Sequence, residues 1–83
     1  MSIIKIGSVE LTEMEAERLY EEEKYIVTYS KIYKLEYSDA QKMVYGREIY
    51  NQRGLAKRGR YHTLTAAEVN HLLGFSLLME IAK

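Results

Sequence analysis

Tyr25-Ile26-Val27-Thr28-Tyr29-Ser30-Lys31-Ile32-Tyr33-Lys34-Leu35-Glu36-Tyr37 is the stretch on which the fold turns. At period two, Val27, Tyr29, Tyr33, Leu35 and Tyr37 share one face, while Ile26, Thr28 and Ser30 share the other. At helical spacing, Tyr25, Tyr29, Ile32, Tyr33 and Tyr37 also form a stripe. Tyr, Ile, Val and Thr pack well on a pleated, half-buried surface and lose side-chain freedom in a helix. The stretch therefore reads as a strand or a hairpin.

Outward from this stretch, the punctuation is helical. Thr12-x-x-Glu15, Ser38-x-x-Gln41 and Thr65-x-x-Glu68 each fit a capping box. There the hydroxyl accepts an orphan backbone N–H, and the acid or amide reaches back to the cap residue. They predict helices over about 13–23, 39–52 (stopped by Gly54) and 66–73 (stopped by Gly74). The tail, 75–83, reads as a last short helix. Ahead of the first cap, Ile3-Ile4-Lys5-Ile6 and Val9-Glu10-Leu11 flank Gly7-Ser8, which predicts a tight hairpin. Leu55 to Thr63 has no clear period and reads as an exposed loop. The expected architecture is one α+β domain over residues 1–83, with a hairpin and a Tyr-rich strand region packed against three to four short helices.

The composition bounds the function. A chain of 83 residues holds one small core and no separate cofactor domain. Without cysteine there is no disulfide framework and no thiolate zinc site. The apolar runs are too short to span a bilayer. Met1-Ser2-Ile3-Ile4-Lys5 lacks the basic start and long apolar stretch of a signal peptide. These features point to a soluble, cytoplasmic domain with no membrane partner. The formal charge balances, Lys+Arg 12 against Asp+Glu 12, which excludes a uniformly basic nucleic-acid coat.

That balance hides a division. Residues 1–23 hold seven glutamates against Lys5 and Arg18, a local balance of −5. Residues 42–63 hold Lys42, Arg47, Arg53, Lys57, Arg58 and Arg60 against Glu48, a balance of +5. In the first helix Glu13, Glu17 and Glu21 follow at i,i+4, so like charges stack, at about 0.2–0.5 kcal/mol per pair. Glu21, Glu22 and Glu23 stand near its C-terminus, where the helix dipole disfavours anions. Three readings fit: a solvated face, pairing with the basic segment inside the fold or across a homodimer, or an acidic ridge that docks on a basic partner. In the basic segment, Gly54 and Gly59 let backbone N–H groups approach an anion, four cations surround them, and Tyr61 offers a stacking face. That segment reads as a solvated loop, a nucleic-acid contact or a contact for an acidic protein surface. It lacks GxxxxGK[ST] and is no P-loop.

Other residues offer less. His62 and His71 stand alone, and no nucleophile, base and oxyanion donor come together. No catalytic residue, metal site or cofactor is expected. The chain has eight tyrosines and one phenylalanine, a balance that suits half-buried sheet packing or a recognition surface through Tyr29 and Tyr33. Arg47 falls on the apolar stripe of the expected second helix and snorkels from it. Gly46 beside it marks either a weak spot or close approach by another element.

Leu64-Thr65-Ala66-Ala67-Glu68-Val69-Asn70-His71-Leu72-Leu73-Gly74-Phe75-Ser76 resembles the opening of the helix-turn-helix in excisionase-like and MerR-like regulators. The chain departs from that pattern at Asn70, where those regulators favour alanine. Leu77 to Lys83, which would be the recognition helix, has a single lysine and little else to read base edges. No family is assigned on this string.

The expectation is a non-enzymatic protein-binding module, of the economy of phage or mobile-element accessory proteins. It would inhibit or modulate a host protein that handles nucleic acid, through Glu13, Glu17, Glu21, Tyr29 and Tyr33. The alternative is a DNA- or RNA-binding regulator using Lys42, Arg47, Arg53, Lys57, Arg58, Arg60 and Tyr61, with the helix-turn-helix-like segment behind them. A small enzyme ranks third.

Overall fold

A computed structural model describes residues 2–74. In chain order the elements are β1 (Ile3–Ile6), β2 (Val9–Thr12), α1 (Glu13–Glu21), β3 (Tyr25–Val27), β4 (Lys31–Ser38), β5 (Met43–Asn51), β6 (His62–Leu64) and α2 (Ala66–Leu73). Strands β1 and β2 form a two-stranded sheet, and the other four form a sheet in the order β5-β4-β3-β6. Every pairing is antiparallel.

Local chemistry accounts for the first third of the chain. Gly7-Ser8 closes a hairpin in which Ile6 faces Val9 and Ile4 faces Leu11. All four are buried on one face. Thr12 then caps α1 with both reciprocal bonds to Glu15. Ala16 and Leu19, one turn apart, are the buried residues of α1. Hairpin and helix together cover one face of the larger sheet, meeting Ile26, Tyr33, Leu35 and Val44. On the other face α2 lays Val69 against Tyr25, Val27 and Ile32, with Leu64 and Leu55 packed beside them. The sheet is thus the middle layer of three.

The structure corrects the expectation of three to four helices: the described residues hold two, with two sheets. The helix expected over 39–52 is the strand β5, which pairs with β4 from Ser38↔Met43 to Lys31↔Asn51. Ser38 does accept the backbone N–H of Gln41 at 3.2 Å, but in the β4–β5 turn rather than at a helix start. A short Ser side chain can satisfy a turn as well as a helix end. Gly46 decides the matter physically. It costs about 1 kcal/mol in a helix, whereas in β5 it leaves room for Ile6 of the hairpin, whose Cγ2 occupies the space a Cβ would need. The expected helix over 75–83 lies outside the described residues.

The Tyr-rich stretch is a hairpin, β3 and β4, joined through residues 28–30. Thr28 fastens the turn: its N–H donates to the Lys31 carbonyl at 2.8 Å, and its Oγ1 accepts the Lys31 N–H at 3.1 Å. A bulge opposite Ile32 and Tyr33 leaves Ile49 as an extra residue in β5, and both Ile49 and Tyr50 rest against the cluster under α2. The segment expected as loop over 55–63 ends as β6, which pairs His62 with Val27 and Thr63 with Ile26.

Candidate functional site: an acidic helix and a basic loop

The fold presents the two charged groups separately. With Ala16 and Leu19 buried, α1 turns Glu13, Glu17 and Glu21 outward, and all three are exposed. The helix ends in a tight cap. The Glu23 N–H donates to the Tyr20 carbonyl at 3.1 Å, and the Lys24 N–H to the Leu19 carbonyl at 2.9 Å. This double bond pattern needs a left-handed residue at the first position beyond the cap, where glycine is usual. Here it is Glu23, at φ 57°. A carboxylate thus occupies a strained backbone position at the end of an already acidic helix.

Two exposed aromatics stand beside this end. Tyr20 of α1 and Tyr37 of β4 have ring centroids 6.4 Å apart, tilted by 39°. Next to them is a groove of about 530 Å³ lined by Tyr20, Glu21, Glu23, Lys24, Tyr25 and Lys34. Burial holds the Tyr25 phenol above its ordinary pKa, and the Glu23 charge adds to this. The Tyr20–Tyr37 pair is not legible in the sequence. Its signal was present only as two tyrosines on different elements, which the period-two pattern could not bring together.

The basic loop lies past the other end of β4. Residues 52–61 fold back over the β3–β4 turn: the Gln52 N–H donates to the Ser30 carbonyl and the Leu55 N–H to the Tyr29 carbonyl, both at 2.8 Å. The Arg58 guanidinium sits 5.3 Å from the Tyr29 ring centroid, a cation–π contact. Arg53, Lys57, Arg58, Arg60 and Tyr61 are all exposed. Tyr29, read from the sequence as protein-facing, is therefore the floor of the basic loop.

Three expected site residues fall elsewhere. Tyr33 is only 8% exposed, in the core beneath the hairpin, and offers no surface. Arg47 lies on β5, and its Nε–H donates to Glu36 Oε1 at 2.9 Å. Tyr45 donates to the same oxygen at 3.0 Å. The Arg47 guanidinium above all, with help from Tyr45, holds the Glu36 carboxyl below the usual carboxylate range. Arg47 is thus neutralised within the sheet. Lys42 precedes β5 while the loop follows it, so a nine-residue strand, roughly 30 Å long, separates them.

Ion pairing underlines the division. Among the described residues the ion pairs are Lys5–Glu10, Lys31–Glu48 and Arg47–Glu36, each joining paired strands. None joins α1 to the loop, so among the described residues no ion pair links the two charged groups inside the fold. Among the described residues, no group of three or more His, Asp or Glu is placed to hold a metal, and no helix is long and apolar enough to cross a membrane. No family model, no curated protein and no solved structure matches this chain.

Proposed function

We propose that this chain is a small protein-binding module that acts by occupying a partner's surface rather than by chemistry. Its contact surface is the exposed row Glu13, Glu17 and Glu21, extended by Glu23 and flanked by Tyr20 and Tyr37. The partner is a protein with a basic face, as nucleic-acid-handling proteins have, and the row of carboxylates matches a row of phosphates in sign. Occupying that face would inhibit or modulate the partner, in the manner of an accessory protein of a phage or other mobile element.

One observation carries this reading: the acids sit where the fold is worse off for them. Stacked glutamates repel, anions at a helix C-terminus oppose its dipole, and Glu23 holds a backbone conformation suited to glycine. Strain of this kind concentrates at functional positions. The two exposed tyrosines add the aromatic contact area on which interfaces rely.

The test is affinity capture from a lysate of the source cell, followed by titration with the purified partner. The wild type is expected to bind with an affinity that falls as salt rises. Glu13→Lys/Glu17→Lys/Glu21→Lys is expected to lose at least tenfold, and Tyr37→Ala several-fold. A purified pair indifferent to both changes would overturn the reading.

A further inference from the structure

We infer that the loop over residues 52–61 is a second, separate site that binds single-stranded nucleic acid through its phosphates and bases. Arg53, Lys57, Arg58 and Arg60 are concentrated there, and none makes an ion pair within the described residues. Arg47 and Lys31, by contrast, are each held by a strand carboxylate, at 2.9 and 3.0 Å. Arg18, Lys24, Lys34 and Lys42 also make no ion pair among the described residues, but they are spread over the chain, whereas the loop gathers four cations between Arg53 and Arg60 with no carboxylate among them. Gly54 and Gly59, at φ 87° and 83° with open space where a Cβ would stand, keep the backbone accessible between the cations.

The aromatic side chains select the ligand. Tyr61 is 43% exposed within the basic loop, and Tyr29 beneath it is faced by Arg58. Cations that follow a backbone and aromatic rings that stack on bases make a single-strand platform, tolerant of sequence because every base has a π-face. A duplex is read by an element inserted into a groove. Among the described residues the helix next to the loop is α2, which holds no Arg or Lys from Ala66 to Leu73 to anchor a duplex backbone and packs Val69 against the sheet. The segment that the helix-turn-helix likeness would make the recognition helix, 77–83, lies outside the described residues.

The site shares no residue with the acidic helix, so its test stands apart from that of the proposed function. The experiment is fluorescence anisotropy with labelled 20-nucleotide single strands of DNA and RNA of random sequence, and the matching DNA duplex, at about 50 and 200 mM salt. Four phosphate contacts give a salt slope of about −3, so binding to single strands is expected to weaken roughly 50-fold between the two salts. Lys57→Glu/Arg58→Glu/Arg60→Glu is expected to abolish it. Tyr61→Ala is expected to weaken it about fivefold or more, with Tyr61→Phe near wild type. All side chains changed are exposed, and a thermal transition unchanged from wild type confirms folding. If the triple variant fails that control, Lys57→Gln/Arg60→Gln replaces it, with at least a tenfold loss expected. The inference is overturned by the absence of single-strand binding at 50 mM salt, by binding that survives the charge changes, or by duplex binding as tight as single-strand binding and indifferent to Tyr61→Ala.

Discussion

The acidic helix and the basic loop carry opposite charge, yet they are held in place by different means. Beneath α1, Ala16 and Leu19 are buried in the larger core cluster, with the whole hairpin beside them. Residues 52–61 are held by two backbone bonds to the β3–β4 turn, a hydrogen bond from the Tyr50 hydroxyl to Gln52 Oε1, the half-buried Leu55 and one cation–π contact. A ridge fixed by packing presents its charges in one spacing. A loop fixed at its base can adjust its charges to a flexible chain. This difference fits a folded protein surface as the partner of the first and a single strand as the partner of the second.

The largest expected effect breaks the firmer side of that comparison. Leu19→Ala removes a buried anchor of α1 and is expected to cost about 2–5 kcal/mol, read by denaturant unfolding. Gly46→Val acts one layer away, forcing a side chain into the space of Ile6. It is expected to cost about 1–3 kcal/mol. Both loosen the layer that carries the acids and leave the contacts at the base of the loop in place. Loss of protein binding with retained single-strand binding in a folded variant would separate the two regions. Equal loss of both would show that they depend on one cooperative unit.

Gly46 also marks where the sequence stopped being legible. The two capping boxes at Thr12 and Thr65 and the Gly7-Ser8 turn depend on residues a few positions apart, and the local pattern reveals them. The third box, at Ser38, has the same local chemistry, but what surrounds it is decided at long range. Met43–Asn51 is a strand because it pairs along β4 and because the hairpin seats on Gly46, and neither partner is visible from within the segment. The burial of Tyr33 is hidden from the sequence for a related reason. The period-two pattern ran Val27, Tyr29 and Tyr33 together through residues 28–30, where the chain turns. Val27 consequently packs under α2 and Tyr33 under the hairpin. Charge segregation, being a property of composition, survived these errors. The Glu36–Arg47 pair did not, because it needs the strand register.

A smaller effect, of opposite sign, tests the strain at the end of α1. Glu23→Gly removes the cost of a left-handed non-glycine residue and is expected to stabilise by about 0.5–1 kcal/mol, while weakening capture of the protein partner. A destabilised variant would mean that Glu23 contributes to the fold and is not strained by it.

The sheet provides a control that belongs to neither region. The Glu36 carboxyl titrates below its ordinary range because Arg47 and Tyr45 hold its charged form. A depressed carboxylate contributes stability that is present above its unfolded pKa and lost as pH falls through the folded value. Glu36→Gln is therefore expected to flatten the acid limb of the stability curve and leave both binding activities unchanged at neutral pH. If either activity moves, the Glu36, Tyr45 and Arg47 cluster belongs to that site.

The smallest expected effect is the most discriminating. Glu17 stands between Glu13 and Glu21 on the exposed face of α1, so Glu17→Gln relieves two like-charge pairs and keeps a good helix former. A gain of about 0.5 kcal/mol is expected, or roughly 2–4 °C in Tm for a domain of this size. Partner binding is expected to fall in the same variant. The two results together matter more than either alone. A surface kept only for solubility would tolerate the change without loss of binding, whereas a docking ridge gives up binding as it gains stability. Single-strand binding at the loop is expected to stay unchanged, because Glu17 makes no ion pair with the loop cations and lies on a different element. A more stable variant that still bound its protein partner in full would mean that the stacked glutamates are not kept for docking.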